Sequence, residues 1–246
     1  MQEVLSYPSI SVVIPVRNEA QNLYYLLPRI PSIVTEVIVV DGHSSDETVA
    51  VARELLPAAR IIHQSGKGKG DAIRLGFAAC TCDIIVMIDG DGSTDPEEIR
   101  HFVSALLNGG DFAKGSRFVQ GGGSDDISPL RYLGNYGLCS LVNLLFRVRF
   151  SDLCYGYNAF WRHCLSYIEI DCDGFEVETQ ISLRIHRARL KIVEVASLEH
   201  SRLYGQSNLR TFRDGWRVLK TIMKERRFGF LPQPQPGLLA AVARER

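Results

Sequence analysis

Several features that would point to particular classes of protein are missing from this sequence of 246 residues. Neither charge is in excess, because 28 lysines and arginines balance 28 aspartates and glutamates, so no overall field favours nucleic acid or an anionic bilayer. No stretch approaches the ~20 apolar residues that a membrane-spanning helix requires. The N-terminus has no basic segment followed by an apolar core. We therefore expect a cytoplasmic protein that does not bind nucleic acid.

The six cysteines contain no C-x-x-C pair, which is the spacing common to zinc sites and redox motifs. Cys80 and Cys82 lie beside an apolar run rather than at a metal-ligand spacing. We expect the thiols to be reduced and mostly buried.

Alternating apolar runs and helical patterns fill residues 9 to 116, which is typical of βαβ units around a mainly parallel sheet. The chain, 46% hydrophobic, is long enough for one large α/β domain. Strands are predicted at 11–15, 36–40, 59–64, 83–88, 111–114 and 191–196. Helices are predicted at 129–147, 174–189 and 208–226, and 229–246 is predicted to be a flexible tail.

The carboxyl ends of parallel strands share one rim, where open α/β sheets bind ligands. Two further helices are expected to begin at this rim, because Ser44 with Glu47 and Thr94 with Glu97 have the spacing of a capping box. The rim segments are 15–19, 41–45, 66–71 and 89–95.

Asp89 and Asp91 end an apolar strand with one residue between them. Alternation along an extended chain places both carboxylates on one side, where hard oxygen ligands suit Mg²⁺ or Mn²⁺. Three alternatives remain: an EF-hand loop, a phosphatase of the haloacid dehalogenase type with Asp89 as nucleophile, and a turn with solvated acids. The EF-hand requires glycine at Thr94 and a carboxylate at Arg100.

The loop from Gly66 to Asp71 (G-K-G-K-G-D) lies between a strand and a helix, as loops that hold phosphate do. It matches neither standard phosphate-binding motif, so flexible linkage is an equal alternative.

Four motifs in order resemble those of family 2 glycosyltransferases with the GT-A fold: V-I-P-V-R-N-E at 13–19, V-V-D-G-H-S-S-D at 39–46, K-G-D-A at 69–72 and D-G-D at 89–91. The similarity extends over about residues 9 to 225. It implies a single GT-A domain over 1–228, a Rossmann-like, mainly parallel sheet flanked by helices, in which 9–120 bind the nucleotide sugar and 121–228 bind the acceptor.

The resemblance also implies which residues hold a nucleotide diphosphate sugar of the GDP-mannose or UDP-glucose type. They are Pro15, Arg17, Glu19, Asp41, Lys69, Asp71, Asp89, Gly90 and Asp91. Asp89 and Asp91 would bind the metal, and Asp91 would be catalytic, since the metal neutralises the diphosphate leaving group. His200 is a candidate third metal ligand, with a structural histidine as the alternative.

For the acceptor side, the sequence resembles the dolichyl-phosphate mannosyltransferase branch. The resemblance implies that Arg117, Arg131, Asn135 and Arg202 bind a lipid phosphate and that the apolar helix at 129–147 lies at a membrane interface. Packing into the core is the alternative for this helix. A hydroxyl acceptor would instead need a carboxylate base, for which Glu176 and Glu178 are candidates, although acids at a helix start also favour its dipole.

The leading hypothesis is thus inverting sugar transfer to a polyprenyl phosphate, with peripheral contact at the inner face of the membrane. The alternatives are a soluble glycosyltransferase that uses a small-molecule or glycan hydroxyl with Glu178 as base, the phosphatase, and a non-catalytic nucleotide-sugar binding protein.

Overall fold

A computed structural model describes residues 7–206 and 209–228. The strands are β1 (Ile10–Val16), β2 (Glu36–Asp41), β3 (Arg60–His63), β4 (Ile84–Met87), β5 (Phe112–Ser116), β6 (Gly123–Ser124), β7 (Asn158–Trp161), β8 (Ile192–Ala196) and β9 (Leu198–Glu199). Seven of them form one sheet in the order β3-β2-β1-β4-β7-β5-β8, and β6 pairs with β9. All six strands predicted from the sequence are present, each within one or two residues of its predicted ends.

The helices are α1 (Ala20–Leu26), α2 (Thr48–Leu55), α3 (Lys69–Ala79), α4 (Ile99–Leu107), α5 (Pro129–Phe146), α6 (Val177–Arg187) and α7 (Thr211–Arg226). Short 3₁₀ helices occupy Leu27–Arg29, Pro96–Glu98 and Arg162–Tyr167. Residue 208, the predicted start of the last helix, and the predicted tail at 229–246 lie outside the described residues.

Both faces of the sheet are covered. On β1, Val12 and Ile14 face one apolar cluster with α1 and α4, while Val13 faces a second cluster that contains residues of α3 and α6. This alternation explains why the strands contain so many β-branched residues. A third cluster joins α5, α6 and α7.

The antiparallel strand β7 was not predicted. It lies between β4 and β5 and runs opposite to both, with Met87 and Lys114 each paired with Asn158. Its four residues are too few to show a period in the sequence. Because β7 is reversed, the residues that precede it reach the same rim as the ends of the parallel strands.

Both predicted capping boxes are wrong in detail. At α2 the carboxylate of Asp46 accepts hydrogen bonds from the Thr48 N–H and hydroxyl. Before the 3₁₀ helix at Pro96, Asp95 accepts from the N–H of Glu97. In each place an aspartate nearer to the helix start supplies the cap, with the local geometry of an Asx turn.

The predicted state of the cysteines is confirmed: all six are free, and four are buried. Over the described ranges, 7–206 and 209–228, no helix combines the length and the apolar character needed to cross a bilayer.

Candidate active site

A cavity of about 1150 Å³ opens at the rim where β1, β2 and β4 end. Most of the predicted site residues line it: Pro15, Arg17, Glu19, Lys69, Asp89, Gly90, Asp91, Arg117, Arg131, Asn135, Glu178 and Arg202. The cavity thus joins the predicted donor and acceptor residues in a single space.

Lys69 lines the cavity and pairs with two carboxylates at once. Its Nζ lies 2.5 Å from Oδ1 of Asp89 and 2.6 Å from Oε1 of Glu178. Burial would lower the pKa of the Lys69 ammonium, but the two carboxylates outweigh burial and raise this pKa above its ordinary value. Burial raises the pKa of the Glu178 carboxyl, against the opposing effect of Lys69. Lys69 therefore stays charged and links the start of α6 to the end of β4.

Gly156 makes this arrangement possible. A Cβ at this position would lie 2.6 Å from Oδ2 of Asp89 and 2.9 Å from Nζ of Lys69. Because both distances are too short for a side-chain carbon, only glycine lets the chain entering β7 pass so close to the pair.

Asp91 is held by a cation and a hydroxyl. Nη2 of Arg202 donates to its Oδ2 over 3.1 Å, and the Ser93 hydroxyl donates to its Oδ1 over 2.6 Å. Nη1 of Arg202 also donates to both carboxylate oxygens of Glu19, at 2.9 and 3.0 Å. Burial raises the pKa of Glu19, although Arg202 opposes this shift. Arg202 therefore bridges the donor-side residues Glu19 and Asp91.

The predicted cluster of three arginines has a different arrangement in the structure. Arg117 is almost fully buried, with Nε 2.7 Å from Asp152 and Nη1 3.0 Å from Glu199. Arg131 pairs with Asp126 across 3.1 Å at the edge of the cavity, with both side chains partly exposed. All three arginines line the cavity, but each has its own carboxylate partners, and only Arg131 is held by a weak, exposed pair.

Asp41 and Asp71 do not line the cavity, in contrast to their predicted role in donor binding. Asp41 is buried, accepts from the Ser44 N–H and lies 3.2 Å from Nδ1 of His63. Asp71 accepts from the Gly66 N–H and from Arg74. A buried carboxylate that accepts several hydrogen bonds stabilises the conformation of a loop. Asp41 and Asp71 therefore stabilise the loops of the rim without lining the cavity.

The glycines of the 66–70 loop, for which phosphate binding and flexible linkage were equal alternatives, pack against a neighbouring loop. Gly70 donates its N–H to the carbonyl oxygen of Asp173, and a Cβ at Gly68 would lie 2.0 Å from the same oxygen. These glycines let the backbone of Cys172 and Asp173 pack closely against the start of α3.

His200 does not join the two aspartates. Its Nδ1 faces Asp125 at 3.4 Å, outside the cavity, and no group of three His, Cys, Asp or Glu side chains placed to hold a metal ion occurs among the described residues. The two carboxylates that remain, Asp89 and Asp91, suit a hard divalent cation by their chemistry and are partly exposed to the cavity, while Lys69, Ser93 and Arg202 contact three of their four oxygens. A cation held there would take the remaining ligands from the diphosphate and water.

Sequence reasoning missed Asp152 and Glu199, which hold Arg117 in place, and Gly156. Asp152 precedes an apolar run without a recognisable spacing, and Glu199 belongs to a strand of only two residues. Neither position carries a signal that a single sequence can reveal.

The mainly parallel sheet, with a cavity at the carboxyl ends of its strands, has the architecture of the GT-A fold. Glycosyl transferase family 2 matches residues 11–166 of the chain. The chain is 31% identical to the dolichol-phosphate mannosyltransferase of Pyrococcus furiosus over 210 residues, which are 82% of this chain and 59% of that protein. It is 30% identical to the polyprenol monophosphomannose synthase of Mycolicibacterium smegmatis over 211 residues, 80% of each chain. The chain therefore belongs to glycosyl transferase family 2, and the hypothesis of a phosphatase is set aside.

Among solved structures, the chain resembles glucosyl-3-phosphoglycerate synthase of Mycobacterium tuberculosis in complex with Mn²⁺, uridine diphosphate and glucosyl-3-phosphoglycerate. The TM-score is 0.69 at 23% identity, over 94% of this chain and 82% of that chain. This likeness establishes the GT-A fold.

Proposed function

We propose that the protein transfers a sugar from a nucleotide diphosphate donor to a polyprenyl phosphate, with inversion at the anomeric carbon and with Mg²⁺ or Mn²⁺ bound by Asp89 and Asp91. The observation that carries the proposal is the position of these two carboxylates at the end of β4, beside a cavity that also contains basic residues of α5 and α7. The P. furiosus and M. smegmatis relatives, named for dolichol phosphate and polyprenol monophosphomannose, support the choice of acceptor.

The donor half of the cavity suits a nucleotide diphosphate. A divalent cation there would offset the charge of the diphosphate as it leaves. Lys69 fixes Asp89, and Ser93 with Arg202 fixes Asp91, so the carboxylates are oriented before the donor arrives. Positioning of this kind lowers the barrier without covalent participation of the protein. A bound donor complex would also replace the contact of Arg202 with Asp91 and leave its guanidinium available to an anion.

The acceptor half suits a phosphate. Arg131 pairs only with the partly exposed Asp126, so an incoming phosphate can compete for its guanidinium. A phosphate is already ionised at neutral pH and can attack the anomeric carbon without a base. Arg117 lies beneath this half with its charge offset by Asp152 and Glu199, so it helps to hold the shape of the cavity and leaves Arg131 as the cation that can bind the phosphate.

The surface of α5 and α7 supports contact with a membrane. Large apolar side chains point outward on both helices, which we call the helix-pair surface: Leu130, Tyr132, Leu133, Tyr136 and Leu144 on α5, and Phe212, Trp216 and Met223 on α7. Phe212 is 80% and Leu144 is 77% exposed, which is costly in water. Arg213, Arg217 and Lys220 lie among the α7 residues, and a basic helix with aromatic anchors suits an interface with anionic lipid.

One observation favours a second candidate, transfer to a hydroxyl group with Glu178 as base. The Oε2 atom of Glu178 is buried and has no hydrogen-bond partner in the described part of the chain, although its residue lines the same cavity as Asp91. A raised pKa also suits a carboxylate that accepts a proton.

The experiment that tests the proposal is incubation of the purified protein with Mn²⁺, with GDP-mannose or UDP-glucose, and with either a polyprenyl phosphate in vesicles or the unphosphorylated polyprenol. Formation of a glycosyl phosphate lipid from the first acceptor only, and its loss on addition of a chelator, is the expected result. Transfer to the polyprenol, abolished in Glu178→Gln, would establish the second candidate instead. Release of nucleoside diphosphate without any transfer would contradict both acceptors.

A further inference from the structure

Two helix-interior glycines that face the cavity are not required by packing against any of the residues that the structure describes. Gly134 in α5 and Gly215 in α7 both line the cavity, and a Cβ added at either would meet no heavy atom within 4 Å. Gly76 in α3 shows the usual reason for such a residue: a Cβ there would lie 2.3 Å from Val13. Since glycine costs a helix about 1 kcal/mol relative to alanine, the open space at 134 and 215 carries a stability cost that no contact inside the chain explains.

The two glycines lie next to the contact between their helices. Cys139 and Val142 of α5 pack in one apolar cluster with Val218 and Ile222 of α7. The glycine of each helix lies on the N-terminal side of this contact. The missing side chains therefore leave the cavity wider beside this contact.

Helical spacing places both glycines on the stripe that faces the cavity. On α5 this stripe contains Arg131, Gly134, Asn135 and Leu138, and on α7 it contains Thr211, Asp214, Gly215 and Val218. Leu138 of α5 and Val218 of α7 are the aliphatic residues furthest along these two helices, and Arg213 and Arg217 of α7 also line the cavity. A ligand that lies along both stripes would thus have a polar head and an apolar stem.

We propose that Gly134 and Gly215 determine acceptor specificity by keeping open a groove between α5 and α7 for the isoprenoid chain of the acceptor, beyond its first prenyl unit. The inference rests on the proposed transfer to a polyprenyl phosphate. The phosphate would lie near Arg131, and the chain would pass Leu138 and Val218 towards the helix-pair surface, whose exposed apolar side chains continue the same path outward.

The chain offers a matched control. Gly137 belongs to the same helix as Gly134 and also has nothing within 4 Å of an added Cβ, but it does not line the cavity. Leucine at 134, 137 or 215 replaces a poor helix former by a good one, so all three variants are expected to be at least as stable as the wild type. Thermal unfolding of each variant separates a loss of folding from a loss of binding.

The experiment compares Gly134→Leu, Gly215→Leu and Gly137→Leu with two acceptors, a long-chain polyprenyl phosphate in vesicles and the water-soluble dimethylallyl phosphate, which has one prenyl unit. For the long-chain acceptor, the KM of the 134 and 215 variants should rise about tenfold or more, because an added side chain fills an apolar subsite. KM for dimethylallyl phosphate and binding of the nucleotide diphosphate with Mn²⁺ should not change, and Gly137→Leu should resemble the wild type.

Equal behaviour of Gly134→Leu and Gly137→Leu, or an equal rise in KM for both acceptors, would overturn the inference while wild-type transfer to the lipid phosphate leaves the proposed function intact. If the wild type glycosylates neither phosphate, the proposed function fails, and the groove assignment fails with it.

Discussion

Arg202 donates a hydrogen bond to Asp91, with Nη2 3.1 Å from Oδ2, and so places a guanidinium against a carboxylate that is proposed to bind a divalent cation. The two residues are 111 positions apart in the chain. The guanidinium and a divalent cation are both positive, so we expect Arg202 to oppose binding of the metal at Asp91 in the absence of donor.

Replacing Arg202 by glutamine should tighten the binding of Mn²⁺ to the donor-free protein. The pair is only partly exposed, and its loss frees a carboxylate from an interaction worth about 1 kcal/mol, so Kd should fall about fivefold. Titration calorimetry with MnCl₂ measures this change. Arg29→Gln, which breaks an exposed pair with Asp95, is the control and should leave Kd unchanged. Weaker binding in Arg202→Gln would mean that Arg202 orients Asp91 for the metal rather than competing with it.

Asp91→Ala should lower metal-dependent turnover at least about a hundredfold, because loss of one metal ligand removes about 3 kcal/mol of stabilisation from the leaving group. The readout is release of nucleoside diphosphate with Mn²⁺ present. Asp95→Ala provides the comparison: this aspartate lies in the same loop but caps a 3₁₀ helix and does not line the cavity. Full activity of the Asp91 variant would remove the proposed metal site.

The carboxylate of Asp171 should make stability depend on pH in the acid range. Burial opposes ionisation, but Lys224, Gln180 and Arg184 outweigh it and lower the pKa of Asp171 from 3.8 to about 2. A carboxyl whose folded-state pKa is depressed stabilises the protein above its unfolded pKa, and this contribution is lost as pH falls from 3.8 towards 2.

Asp171→Asn should therefore lower the free energy of unfolding at pH 7 by about 1 kcal/mol or less, a modest value because the side chain is 40% exposed. The difference from the wild type should shrink as the pH is lowered to about 2. Urea unfolding over this range tests it. Asp173→Asn, two residues on and 74% exposed, should show no such dependence. A constant difference at all pH values would assign the effect to lost hydrogen bonds instead of charge.

Trp216→Ala should weaken binding to anionic lipid vesicles about tenfold, since Trp216 is a large exposed anchor on the helix-pair surface. Co-sedimentation with vesicles that contain anionic phospholipid measures the partition. Tyr24→Ala removes an aromatic side chain of similar exposure on α1 and should have no effect. Equal binding by both variants and the wild type would place the membrane contact elsewhere or exclude it.

Local patterns were sufficient to predict most of the sheet and the position of the paired aspartates. The strands ending at Val16 and Met87 are continuous β-branched or apolar runs, and the rule that ligands bind at the carboxyl ends of such strands placed Asp89 and Asp91 beside a cavity. Asp41 and Asp71 do not line the cavity, because a motif fixes a position along the chain but not the direction of the side chain.

The pairing of charges was the least predictable part of the site. Arg202 meets Glu19 across 183 positions, and Arg117 meets Glu199 across 82. Such pairs form only when distant loops meet at the rim. A single sequence does not show which distant residues come together. The same limit explains why β7 was missed.

The reversed direction of β7 restricts which substitutions the protein can accept beside Asp89. Its entry segment brings Gly156 against the Asp89 carboxylate, and even an alanine methyl there would collide with the oxygen at 2.6 Å. The path of the chain into β7 and the position of the Asp89 carboxylate thus depend on each other at the Cα of Gly156. Gly134, Gly137 and Gly215 have open space for a Cβ, whereas a side chain at position 156 would force the Asp89 carboxylate and the Lys69 ammonium to move.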